Sequence, residues 1–179
     1  PFQVAEQVNI GGGGKPAVSL STTGVLAYWR GAGLSLSRLT WVDRAGKTER
    51  VVGDAGAYAN LSLSPDERRV AVALTTGSPL NRDIWVVDLA HDDTASRLTF
   101  NPGSEGDPIW SPDGSQIVFN SNRTGTWNSG FQRAADGSGV KALTENEGLI
   151  YFYYVWSPDS SMLAALAATT REWRYLEIM

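Results

Sequence analysis

An all-β fold, a β-propeller of four-stranded antiparallel blades, is what this 179-residue sequence predicts, on three observations. Ser-Pro-Asp recurs at residues 64–66, 111–113 and 157–159, in steps of 47 and 46 residues. A repeat in the forties assembled from short strands is the spacing of propeller blades. Each copy also closes one apolar run and opens another, as in Pro108-Ile-Trp-Ser-Pro-Asp-Gly-Ser-Gln-Ile-Val-Phe119, the pattern of two strands joined by a tight turn. Finally, 19 Gly, 8 Pro and 10% aromatic residues describe a turn-rich β-protein rather than a helical one.

The elements follow in order. The first repeat, residues 17–53, is degenerate: Val18 to Tyr28 has the strand–turn–strand shape, with Ser-Thr-Thr-Gly in place of Ser-Pro-Asp-Gly. Its third strand is expected over 38–43 and its fourth over 48–52. The second repeat, 58–100, is expected to form strands over 60–63, 70–74, 83–89 and 96–100. The third, 107–145, places them over 108–110, 116–120, 126–134 and 140–144, with Asp113-Gly114 and Asp136-Gly137 as the dipeptides that tight hairpins favour. Gly130 stands where an aliphatic strand residue is expected, a position suited to a bulge.

The fourth repeat, 153–179, has strands leading into Ser157 and over 162–167 and 173–178, but no fourth. An orphan strand (Phe2 to Val8, within 1–10) precedes the first repeat. Two arrangements stay open: a closed four-bladed ring in which 2–8 pairs beside 173–178, removing an exposed edge, or a segment of a larger propeller.

The stretch Asp107-Pro-Ile-Trp-Ser-Pro-Asp-Gly-Ser-Gln-Ile-Val-Phe-Asn-Ser-Asn-Arg-Thr-Gly125, with Asp83-Ile-Trp-Val-Val-Asp-Leu89, resembles the TolB-type propeller repeat, the WD40-like PD40 class. The resemblance covers most of 18–178 and is strongest in the second and third repeats. It implies a propeller of six or more blades, a non-catalytic scaffold that binds a protein or peptide, and a periplasmic or extracytoplasmic location. Pro1 to Val8 together with Leu39-Thr-Trp-Val-Asp-Arg-Ala-Gly-Lys47 is similar to propellers attached to bacterial serine/threonine kinase-like proteins. Two other functions fit the same repeat: the gating propeller of a prolyl-oligopeptidase-type peptidase, whose catalytic domain is separate, and a structural or oligomerising unit that self-associates through unclosed ends.

Composition narrows the partners. A net charge of −4 with no Lys/Arg cluster argues against nucleic acid, and no 18-residue apolar stretch argues for membrane insertion. Cysteine is absent, so disulfides and thiolate metal sites are excluded. The single histidine, His91, cannot form a multi-His site. Gly11-Gly-Gly-Gly-Lys15 is followed by Pro16 and Ala17 where a phosphate loop needs Ser/Thr and a helix. No catalytic residue, metal or cofactor is therefore expected. The Ser-Pro-Asp carboxylates read as turn formers, and Trp41, Trp85, Trp110 and Trp156 as packing between blades.

Geometry directs attention to one face. In a four-stranded meander the Ser-Pro-Asp turns share one face, while the second-to-third loops and interblade links share the other. Irregular loops on a rigid scaffold are where binding residues concentrate. That face is expected to carry Arg30, Tyr58, Asn60, Arg82, Asp107, Arg123, Tyr151 and Tyr153 as binding residues, with Trp29, Glu105 and Arg171 beside them. Asn60, Asp107 and Tyr153 are repeat-equivalent and should ring the mouth of the central channel.

Overall fold

Alternation of apolar side chains builds four consecutive antiparallel sheets. The computed structural model describes residues 18–20, 26–28, 36–77, 81–125, 129–143, 149–169 and 172–178; all regular structure among them is strand. Blade 1 contains β1 (Val18–Leu20), β2 (Leu26–Tyr28), β3 (Ser37–Val42) and the first part of β4 (Thr48–Leu63). The rest of β4 is the inner strand of blade 2, followed by β5 (Arg69–Thr75), β6 (Arg82–Asp88) and β7 (Thr94–Arg97). Blade 3 comprises β8 (Glu105–Trp110), β9 (Gln116–Ser121), β10 (Ser129–Ala134) and β11 (Val140–Ala142). Blade 4 comprises β12 (Leu149–Trp156), β13 (Leu163–Thr169) and β14 (Glu172–Ile178).

Three expectations are corrected. No loop separates blade 1 from blade 2: β4 runs on as one strand, turning at Gly53, whose φ of 59° suits glycine. The fourth strand of blade 2 is 94–97 rather than 96–100. Leu98 and Thr99 leave the ladder because both backbone amides donate to Ile84 O (2.8 and 3.3 Å), while the Thr99 hydroxyl accepts from Ile84 N at 2.9 Å. Gly130 is not in a bulge, since β10 pairs with β9 from Ser129 to Ala134 without a register shift.

The two faces of the blade 2 and blade 3 sheets feed different cores, so strand periodicity becomes blade-to-blade packing. On β5, Val70 and Val72 join Leu39, Val52 and Tyr58 between blades 1 and 2, whereas Ala71 and Ala73 join Trp110, Ile117 and Phe119 between blades 2 and 3. On β9, Ile117 and Phe119 face blade 2 while Val118 packs with Tyr151, Tyr154 and Leu163 of blade 4. Trp110 is buried in its core; Trp41, Trp85 and Trp156 are partly buried against theirs. Burial of each large side chain contributes roughly 1.5–3 kcal/mol. Blade 3 packs through β8 on blade 2, and β12 of blade 4 touches β8 and β10; no comparable contact joins blade 4 to blade 1 among the described residues. The described blades thus form an open arc, and the expected closing strand 2–8 lies outside the described residues.

The three Ser-Pro-Asp turns are copies of one hydrogen-bonded unit. The Ser hydroxyl donates to the Asp Oδ1 at 2.5, 2.5 and 2.6 Å in blades 2, 3 and 4. It also accepts the N–H of Arg69, Gln116 or Met162 at 2.9–3.0 Å. Each carboxylate also accepts a backbone N–H, from Arg68, Ser115 or Ser161, at 3.0–3.1 Å. These hydroxyl and amide donors hold Asp66 and Asp113 below the usual carboxylate range and Asp159 down to about 2. A depressed folded-state pKa stabilises the fold above the unfolded value and loses that contribution as pH falls through the folded one. The melting temperature should therefore fall between about pH 4 and pH 2, and Ser111→Ala should flatten that fall. An unchanged acid limb in the variant would refute the role given to the hydroxyl.

The fourth turn residue is left-handed each time: Glu67 (φ 59°), Gly114 (φ 70°) and Ser160 (φ 60°). A side chain there costs about 1–2 kcal/mol, partly offset by the extra unfolded-state entropy of glycine. Glu67→Gly should raise stability by about 0.5–1 kcal/mol, read as a higher urea midpoint. Ser160 is a poorer target, because its hydroxyl accepts the Asp113 N–H of the neighbouring turn at 3.2 Å.

Candidate mouth of the propeller channel

The inner strands of blades 2, 3 and 4 are irregular at the same place. Register with the second strand shifts between Tyr58 and Leu61, between Gly106 and Ile109, and between Phe152 and Val155. Asn60, Asp107 and Tyr153 each fall inside that interval. A bulge re-aims a side chain and ends local pairing, which is how a strand presents a residue at a rim. Pro108 fits the interruption in blade 3, because it has no N–H to offer the ladder. Asp107 is left-handed (φ 49°), a strained conformation of the kind that clusters at binding sites.

Around this bulge the side chains converge on Gly106. A Cβ built on Gly106 would stand 3.7 Å from Arg82 Nη1 and 4.0 Å from Asn60 Oδ1. Gly106 pairs with Asn120, whose Nδ2 donates to Asp107 Oδ2 at 3.1 Å. Burial pulls the Arg82 pKa down, opposed by the negative charge of Asp107. Arg82 Nε and the buried Asn120 Oδ1 have no hydrogen-bond partner among the described residues. Buried polar atoms are normally paired, so each of these orphaned atoms is a departure from the usual pattern in this part of the fold.

Behind the mouth lies a buried ionic layer. Glu105 and Asp83 are fully buried; Glu105 pairs with Arg123, and Arg97 Nη2 lies 2.8 Å from Asp83 Oδ2. Burial pushes the Glu105 pKa up, opposed by hydrogen bonds from Thr99 and Arg123 and by the Arg123 charge; the Asp83 carboxylate adds to the upward push. The Arg123 guanidinium also stands 4.4 Å from the centroid of Phe131 and 5.5 Å from that of Phe119. Gly103 lets the interblade link lie against this strand end, since a Cβ there would be 2.9 Å from Arg123 Cα and N.

The predicted face is therefore divided. Asn60, Arg82 and Asp107 come together at the mouth. Tyr58 and Tyr151 are not displayed: both are buried in interblade cores, and the Tyr58 hydroxyl donates to Asp54 O at 3.1 Å. Arg123 and Glu105 are turned to each other and away from solvent. Trp29, Arg30 and Arg171 lie outside the described residues, and of Tyr153 only the backbone position is described. Sequence reasoning missed Gly106 and Asn120; the unusual Gly-Asp-Pro at 106–108 is the signal that marks them. His91 is a surface residue with Nδ1 3.0 Å from Asp88 Oδ2, and no group of three metal-ligating side chains occurs among the described residues.

Comparison with known proteins identifies the architecture. Residues 37–177 match the family model of the TolB beta propeller domain. A putative TolB from Agrobacterium tumefaciens superposes with a TM-score of 0.76 at 21% identity, over 92% of this chain and 60% of that one. TolB from Acinetobacter baumannii gives 0.71 at 20% identity, over 90% of this chain and 39% of that one. A prolyl endopeptidase structure gives 0.61 at 15% identity, over 84% of this chain and 24% of that one. The chain thus spans less than two thirds of the length of each, and at these identities the likeness is one of fold.

Proposed function

The chain belongs to the TolB beta-propeller family, and on that premise we propose that it is a non-catalytic scaffold that binds a protein or peptide at the channel mouth. The observation that carries this reading is the bulged, left-handed rim at Gly106-Asp107, which brings the Arg82 guanidinium (Nη1) and the Asn60 carboxamide oxygen to the same place. A guanidinium donates to a carbonyl or carboxylate, and a carboxamide oxygen accepts an N–H. A peptide backbone offers both groups at once. Arg is also among the residues that dominate binding energy when they sit in a partly desolvated pocket.

The test is panning a random phage-displayed peptide library against the immobilised chain, followed by titration of the enriched peptides. Arg82→Ala, titrated well below its own melting transition, is expected to weaken them by about tenfold or more, roughly 1.4 kcal/mol. No enrichment, or peptides indifferent to Arg82, would sink the proposal. The similarity to a prolyl endopeptidase supports a second reading, a propeller that gates a separate hydrolase domain. A Gly-x-Ser-x-Gly region in the same polypeptide would favour it over the scaffold.

A further inference from the structure

The link from β7 to β8 crosses the irregular-loop end of blade 2 and holds an aromatic ring in water. Phe100 is 64% exposed, although the chain on both sides of it is pinned. Before it, Leu98 and Thr99 are buried, and the Thr99 hydroxyl accepts the Ile84 N–H at 2.9 Å. After it, Asn101 Oδ1 accepts the Gly103 N–H at 2.9 Å and Asn122 Oδ1 the Ser104 N–H at 2.6 Å. The Arg97 guanidinium stands 5.0 Å from the ring centroid and is itself fixed, with Nε donating to Thr99 O at 2.8 Å and Nη2 2.8 Å from Oδ2 of the fully buried Asp83. The ring is thus presented on a tethered support, and little freedom remains to be lost when it is covered.

The repeat has no need of a ring at this position. At the end of β7 the sequence reads Arg97-Leu-Thr-Phe-Asn101, and at the end of β11 it reads Ala142-Leu-Thr-Glu-Asn146, the same Leu-Thr-x-Asn frame with Glu145 in the place of Phe100. A position that takes a carboxylate in one repeat and a phenyl ring in another is not dictated by packing. Charge then says what the ring meets. Arg97 is matched by Asp83, Arg123 by Glu105, and Arg82 lies in the field of Asp107. With each of these guanidiniums met by a carboxylate, what this part of the face offers a partner is apolar surface.

We infer that Phe100 is a second anchor of the binding face, covering an uncharged apolar side chain of a peptide segment whose neighbouring stretch lies at the channel mouth. This role rests on the mouth being a peptide site. Distance lets the two act together: Gly106 follows Phe100 by six residues, which at ~3.6 Å or less each keeps the ring within about 22 Å of the mouth. An extended segment covers that span with about six residues of its own. Rigidly presented aromatic side chains are among those that dominate binding energy.

The probes are peptides enriched from a random phage library of roughly twelve residues, long enough to reach both anchors, and synthesised for titration. Those weakened by Arg82→Ala are expected to carry an apolar residue about six positions from the stretch that responds to Arg82. They should bind Phe100→Glu about tenfold more weakly, or worse. Phe100→Glu is the substitution to use, since Glu145 stands in the same Leu-Thr-x-Asn frame. Phe100→Leu should keep most of the affinity, which a general disturbance of the link would not predict. Replacing the peptide's apolar residue by Ser should weaken binding to the unaltered chain about as much, and binding to Phe100→Glu hardly at all. Peptides that lose affinity with Arg82→Ala yet bind Phe100→Glu undiminished would overturn the second anchor and leave the mouth reading standing. Peptides sensitive to Phe100→Glu alone would sink the mouth reading and, with it, the pairing of the two anchors. No enrichment at all would overturn both.

Discussion

Glu105→Ala is expected to lower the stability of the chain by about 3–5 kcal/mol, read as a fall in the urea midpoint at unchanged slope. Glu105 is fully buried and its carboxylate pairs with Arg123, whose side chain is 15% exposed. Removing one partner leaves a guanidinium desolvated among Phe119 and Phe131 with no counter-charge, and that residual penalty dominates the pair's own energy. The double replacement Glu105→Leu with Arg123→Met should therefore recover most of the loss, because no charge remains to be desolvated. Arg50→Ala supplies the contrast: its pairing with Asp93 is at the surface, the Arg side chain being 46% exposed, and should be worth about 1 kcal/mol or less. If Glu105→Ala costs no more than Arg50→Ala, the ionic layer is not what anchors blade 3 to the mouth. The same variant should weaken peptide binding, since Gly106 and Asp107 follow Glu105 directly on β8.

Why the sequence discloses some of this and not the rest follows from particular residues. Ser64, Ser111 and Ser157 form their turns from local bonds, so the turns are legible in a few consecutive letters. The equivalence of Asn60, Asp107 and Tyr153 is legible as well, because it needs only the period. Tyr58 and Tyr151 are expected in the irregular links before the inner strands, but β4 and β12 already include them, and beyond the inner-strand bulges each turns into a core rather than onto the rim. The partnership of Glu105 with Arg123 lies across a hairpin, and Asn120 reaches Asp107 between adjacent strands. Neither contact leaves a local pattern in the chain, since both depend on register that only the folded sheet sets.

Gly130→Ala should be the other severe substitution, although alanine is ordinarily preferred to glycine in a strand. A Cβ at Gly130 would stand 2.6 Å from Tyr154 Cζ, and closer still to the hydroxyl oxygen, deep between blades 3 and 4. Tyr154 is buried, so the ring or the β10 backbone must shift; overpacking of this kind costs about 1–3 kcal/mol, occasionally more. Glycine is present here because a neighbouring blade's ring occupies the space of its side chain, which is the close-approach role of a strand glycine rather than the bulge role. A double-mutant cycle separates this clash from any general effect of alanine. Trimming the ring in Tyr154→Val should make Gly130→Ala nearly harmless, giving a coupling energy of about 1–3 kcal/mol. Tyr154→Phe should not rescue it, since Cζ remains. On its own Tyr154→Phe should be neutral or stabilising, because the hydroxyl is buried without a partner among the described residues and burial pushes its pKa up. Additive costs in the cycle would show that Tyr154 and Gly130 do not meet, and the packing of blade 4 on blade 3 would then need another anchor.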